Sequence, residues 1–273
     1  MAVVGSLTIR RVTRHVLADG RRLPPIESSE YIQADRKREE HRGFCGYRFW
    51  PNGRDLYRPT PYTALIKRCD LQKTFLINFE DREFTEWPVQ PVPTHQELKA
   101  RAESAPSGDL LDPTIRLGTE TVDTGERKDI FGRSARHVIT TQRITPLAGS
   151  TREERVTVID GWYIDLDTRL TCESWADSGH GFALGYKHGE EPPRPIFANI
   201  GEPERGYPLR FSTTDGSEIE VTEISTVALD PSLFEVPAGF SQVEQIRQEP
   251  VPPLIIRLRQ TYERLKRHTR LGA

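Results

Sequence analysis

The sequence predicts a mainly β protein: a large, curved antiparallel sheet with one or two covering helices and a C-terminal amphipathic helix. Three observations carry that expectation. Apolar residues recur at every second position over most of the chain, the spacing that turns one face of a strand toward a core. Turn dipeptides such as Asp19-Gly20, Asn52-Gly53 and Asp215-Gly216 separate those segments, and such pairs favour tight hairpins because they accept positive φ. No strand–helix–strand rhythm appears, so antiparallel neighbours are expected. The clearest strand is Arg155–Asp167, where Val156, Val158, Trp162, Ile164 and Leu166 fall on even positions. Its odd positions are mostly polar, so the even row is expected to face inward.

The elements follow in order. A first strand runs from Leu7 to Leu17. A second spans 30–41, YIQADRKREEH, and its charge suggests a sheet edge or a wetted face. Asn52-Gly53 joins Gly46–Trp50 to Leu56–Tyr57. Strands are then expected at Tyr62–Cys69, at Lys73–Phe79 with Phe75, Ile77 and Phe79 on one face, and at Glu83–Trp87. Five prolines over 88–113 frame a short helix near 94–104. Thr94 can cap it and Glu97 completes a capping box, but Leu98 and two alanines are all it has to bury. Sheet resumes at Ile115–Asp123, turns at Thr124-Gly125, and continues through Ile130–Ile144. A loop-rich stretch over 173–206 contains one short strand, Phe182–Tyr186. Tyr207, Leu209 and Phe211 then alternate, and Ile219 and Val221 follow on the returning strand.

After Pro252-Pro253 the period becomes helical. Leu254, Leu258, Tyr262 and Leu265 form a stripe, and Arg257, Arg259, Arg264, Lys266, Arg267 and Arg270 take the other faces. The expected organisation is a single antiparallel β domain over 1–250, with its helical insertion, and a basic amphipathic helix over 251–273. Such a helix either lies on an anionic membrane surface, docks a protein partner, or packs its stripe on its own domain.

Composition narrows the classes. Hydrophobic residues make up 36% and charged residues 29%, which suits a sheet wetted on one side. No run approaches the length of a membrane-spanning helix. The N-terminal MAVVGSLTIRR has no apolar core of signal-peptide length. The expectation is a cytoplasmic protein, a start lying upstream, or an already mature chain. A net charge of −2 hides basic ends and an acidic middle. Residues 1–58 hold 12 Lys and Arg against 7 Asp and Glu, and 257–270 hold 6 against 1. The ends either touch an anionic surface or dock onto the acidic body. Of the 3 cysteines, Cys69 and Cys172 either meet as a disulfide in an oxidising compartment or stay buried free thiols.

Catalytic machinery is not expected. No GxSxG, GxGxxG or GxxxxGK[ST] occurs, so nucleophile elbows and phosphate cradles are absent. The nearest approach to a metal set is Cys172, His180 and His188, whose spacing is poor for zinc. Asp165 and Asp167 share a strand face but sit beside nothing apolar that would raise a pKa. Tyr31, Arg36–Arg38 and Phe44–Phe49 hint at a basic, aromatic stripe, yet Glu39 and Glu40 interrupt it, so no nucleic-acid partner is expected. No cofactor and no metal are expected. What remains is an apolar sheet face able to hold an acyl chain or another hydrophobic ligand. The candidate lining is Val156, Val158, Trp162, Ile164 and Leu166 with Leu209, Phe211, Ile219 and Val221. The alternative is a structural or protein-interaction module that uses the basic C-terminal helix and takes no small molecule.

Two segments, DTGERKDIFGRSARHVITT (123–141) and ALDPSLFEVPAGF (228–240), carry a resemblance. Together they resemble uncharacterised bacterial envelope proteins related to the periplasmic lipoprotein carriers of the LolA/LolB type. The resemblance covers about residues 110–250 well and 1–90 loosely. It implies a half-open β-barrel whose helices cover a cavity for lipid acyl chains, in the periplasm or cell envelope. Gly132 would be its turn glycine, and Pro237 and Gly239 its terminal pair. The chain departs from those carriers in having no signal or lipobox cysteine, in its greater length, and in its basic C-terminal helix.

Overall fold

Hairpins between neighbouring strands build most of the molecule. The structure, a computed structural model, describes residues 5–17, 20–41, 61–89, 113–148, 150, 152–173, 195–200 and 204–246, and the backbone alone of 44–49 and 54–59. Its strands are β1 Ser6–His15, β2 Ile26–Gln33, β3 Arg36–His41, β4 Phe44–Phe49, β5 Arg54–Pro59, β6 Thr63–Arg68, β7 Lys73–Asn78 and β8 Glu83–Pro88. They continue with β9 Ile115–Ile130, β10 Arg133–Pro146, β11 Arg155–Ile164, β12 Pro195–Ile200, β13 Tyr207–Thr213, β14 Ser217–Ser225 and β15 Ser241–Gln242. Thirteen of them form one open sheet in the order β12-β9-β10-β11-β13-β14-β1-β2-β3-β6-β7-β8-β15, and β4-β5 is a separate two-stranded ribbon. The mainly β expectation is met. The sheet is mixed rather than wholly antiparallel, because both outermost strands, β12 on β9 and β15 on β8, pair in parallel.

Two further expectations are corrected. The charged segment 30–41 is not one edge strand: it is the end of β2, a turn at Ala34-Asp35 and all of β3, deep inside the sheet order. Glu30, Lys37 and Arg38 are buried there, at 4%, 7% and 7% exposure. Thr124-Gly125 is not a turn either. Strand β9 passes straight through it, and the pairing with β10 skips from Arg127↔Arg136 to Asp123↔Val138. Gly125, at φ 84°, relieves this bulge, as glycine does where one strand carries extra residues. The hairpin turn lies at Phe131 and Gly132, both with positive φ, so Gly132 is a turn glycine. Finally, the only helix among the described residues is the 3₁₀ turn Pro231–Phe234. The helices expected near 94–104 and over 251–273, the strand Phe182–Tyr186 and the Asn52-Gly53 turn lie outside the described residues.

The sheet changes its buried side along its width. From β9 to β2 one face, here the Ile9 face, carries Leu117, Ile144, Val138, Leu209, Val221, Ile9, Leu7 and Ile32, all buried. From β3 to β8 the opposite face, the Tyr31 face, carries the core: Ala64, Ile66, Phe75 and Ile77, closed by Phe234. The chain after β14 makes that closure. Asp230 caps the 3₁₀ turn by accepting from the Ser232 amide, and Phe234 is driven to 0% exposure. Arg38 and Arg68 on the Tyr31 face donate to the carbonyls of Leu233 and Phe234, at 2.8 and 3.3 Å. Phe240 meets Phe79 edge-on.

Candidate ligand face and its strap

Cross-strand register decides which side chains share a face, because alternate residues point to opposite sides. Phe211 pairs with Ile219 on one side and Gly161 on the other, and Gly161 pairs with Val138. Ile219 pairs with Thr13. The row therefore runs through the odd residues of β11, and Ile159 rather than Val158 belongs to it. Ile159, Phe211 and Ile219 are half-buried. They lie between two fully buried groups on the same face: Ile115, Leu117 and Ile144 at one end, and Leu7, Ile9, Ile32, Leu209 and Val221 at the other.

The predicted lining is thus split. Ile164, Leu209 and Val221 share one buried cluster, with Leu166 packed against it, and Phe211 and Ile219 extend the same face. Val156, Val158 and Trp162 point to the other side, where Val156 is 41% exposed. Trp162 pairs with Arg210 and stacks on His137 at 4.9 Å. Like Leu166, it is partly buried and packs against the cluster. The alternation of β11 holds, with the odd row on the Ile9 side as far as Gly161. A register irregularity between Trp162 and Tyr163 resets it, so that Ile164 pairs with Tyr207 and turns inward. The missed residue is Ile159. Its signal was present, since it is the one aliphatic residue on the odd row Arg155, Thr157, Ile159, Gly161, Tyr163.

The segment after β11, residues 165–173, crosses the Ile9 face as a strap. Leu170 is buried in the cluster at 5% exposure. Asp35 accepts from the Thr171 amide and hydroxyl. Cys172 is disulfide-bonded to Cys69, with Cα atoms 5.6 Å apart, which resolves the two expectations for these cysteines and removes Cys172 from any metal set. His180 and His188 lie outside the described residues. Glu173 then reaches back to the sheet. Lys37 and Lys67, direct cross-strand partners on β3 and β6, each donate to it at 2.7 Å.

Charge is costly in such a place unless paired. Burial alone would raise Glu173, but the charge of Lys37 and the hydrogen bonds from Lys37 and Lys67 outweigh it and hold the carboxyl below its ordinary range. Glu30 behaves oppositely. Burial holds it above that range, only partly opposed by Lys37, whose Nζ is 3.7 Å away. The Tyr207 hydroxyl donates to it at 3.0 Å, and burial with the nearby Glu30 charge pushes that hydroxyl up.

Stability follows from the two directions. Glu173 binds its proton less tightly when folded, so its contribution is present above the unfolded pKa and is lost as pH falls through the folded value. Glu30 binds its proton more tightly when folded, so it withdraws stability as pH rises through the unfolded and then the folded value. Glu30→Gln should therefore gain on the wild type in unfolding free energy between about pH 4 and about pH 7. Urea unfolding at both pH values checks this, and a constant difference contradicts it.

The Trp162 side offers exposed, mutually paired polar groups. His137 Nε2 lies 2.8 Å from Asp160 and its Nδ1 3.1 Å from the Thr124 hydroxyl. On the strap, not on the Trp162 side, Asp165, with its side chain 88% exposed, accepts from Arg136, and Asp167 accepts from Arg169. Among the described residues, no three His, Cys, Asp or Glu side chains converge as a metal site, and no helix is long and apolar enough to cross a membrane.

No family model and no curated protein matches the chain. Among solved structures it is similar to PNGF-II in two crystal forms. Each is 13% identical and matched over 89% of this chain, with TM-scores of 0.36 and 0.35. The chain covers 31% and 32% of those structures, so it spans about a third of the length of the proteins it matches.

Proposed function

We propose that the chain is a non-enzymatic, envelope-associated protein that takes a hydrophobic or lipid-like ligand on the Ile9 face of its sheet. The observation that carries the reading is the half-buried row Ile159, Phe211 and Ile219, which continues the apolar surface between two buried clusters of one open sheet. Apolar side chains left half-covered in that setting are the usual lining of a hydrophobic site. About ten methylenes placed there would contribute about 8 kcal/mol, so such a ligand needs no polar motif. That is why the sequence shows none. The Cys69–Cys172 bond supports an oxidising compartment such as the periplasm. The likeness of 123–141 and 228–240 to the lipoprotein carriers points the same way.

Titration with an environment-sensitive apolar dye tests the reading. Phe211→Glu should weaken dye binding at least about tenfold, because a carboxylate on the row is desolvated by the ligand. Trp162→Glu, on the other side, should leave it within about twofold. Equal losses, or no binding by the wild type, would overturn the proposal.

A further inference from the structure

We infer that Lys37 and Lys67 form an anion site at the end of the Ile9 face, occupied here by Glu173, and that it receives the carboxylate or phosphate head of an anionic amphiphile. The inference rests on the functional reading above and names the class of ligand.

Like charges directly opposite on neighbouring strands repel. Lys37 and Lys67 occupy such a position, so the pair requires an anion between them. The sheet does not supply a close one: the Glu30 carboxylate stands 3.7 Å from Lys37. The strap supplies it, one carboxylate oxygen to each ammonium at 2.7 Å. That is also the way two ammonium groups hold the head of a fatty acid or an alkyl phosphate.

Placement adds the apolar half. Lys37 is the cross-strand partner of Ile32, which pairs with Leu7, and both belong to the buried cluster that Leu209 and Val221 share. Leu170 of the strap seals that cluster, so a ligand chain that ends at the lysine pair takes the place of Leu170 as its head takes that of Glu173. Access is also present: the Lys37 side chain is 8% exposed, but that of Lys67 retains 21%. The Leu170 amide also donates to Glu173 at 2.9 Å, so Leu170 and Glu173 swing out together while Thr171 and Cys172 keep the strap tied to the sheet. Glu173 is then an internal competitor that sets the affinity a ligand must exceed.

The competitor predicts an effect opposite in sign to a purely structural ion pair. Binding of hexadecanoate, hexadecyl phosphate and the neutral hexadecanol is measured calorimetrically on the full chain, with the disulfide intact and circular dichroism unchanged. Glu173→Gln should tighten the two anionic ligands about tenfold and leave hexadecanol unchanged. Lys67→Met should weaken the anionic ligands by a similar factor, again sparing hexadecanol. Preference for one anion over the other assigns the head as carboxylate or phosphate. If wild-type protein binds hexadecanol but Glu173→Gln gains nothing for either anion, the anion site is refuted and the apolar face stands. If no ligand binds, the functional reading fails and this inference with it.

Discussion

Reduction of the Cys69–Cys172 bond should lower the unfolding free energy by about 4–5 kcal/mol, the loop-closure value for a cross-link of this span. The two cysteines are separated by 103 residues, so in the unfolded chain the bond removes the freedom of a long loop. The loss should appear as a lower urea midpoint in dithiothreitol, and in Cys69→Ser/Cys172→Ser protein with or without reductant. The folded sheet should persist, since Leu170, Thr171 and Glu173 still hold the strap. A drop below about 1 kcal/mol would show that the crossing segment is ordered by those contacts alone.

Phe234→Ala should cost about 3–5 kcal/mol. Phe234 is fully buried against Ala64, Ile66, Phe75 and Ile77, and no neighbouring backbone is free to collapse into the space, because the segment is pinned at both ends. On one side Leu229 is held by Gln33 and Ser6. On the other, β15 pairs with β8 and the Val243 amide donates to the Phe84 carbonyl at 2.8 Å. Thermal melts read the loss directly. Limited proteolysis should show earlier cleavage within 228–240 in the variant. A loss under about 1 kcal/mol would mean that the Tyr31 face is not closed by this residue.

Strand positions were legible because period-2 patterning and Gly-containing turns are local. Lys73–Phe79 shows it: Phe75, Ile77 and Phe79 do share the core on one face. The side each strand turns inward was less legible. In Arg155–Ile164 both rows hold apolar residues, and only the register with β13 tells which row is buried. The charged segment misled for a related reason. Charge marks an edge only when nothing nearby neutralises it. Besides the local Glu30 and Glu40, Lys37 has Glu173 as a partner and Arg38 the Leu233 carbonyl, 136 and 195 residues away. These partners arrive on segments that cross the two faces in tertiary structure, which no local window contains. Gly125 was read as a turn because a glycine with positive φ serves a bulge as well as a turn. The candidate face was therefore half visible: Leu209, Phe211, Ile219 and Val221 were found by alternation, and the strap and its ion pairs were not.

Nuclear magnetic resonance with a doxyl-labelled fatty acid tests the central claim most directly. Methyl and ring signals of Ile159, Ile219 and Phe211 should broaden as the spin label is added, while those of Val156, Val158 and Trp162 stay sharp. Broadening confined to the Trp162 side, or spread equally over both rows, would contradict the account.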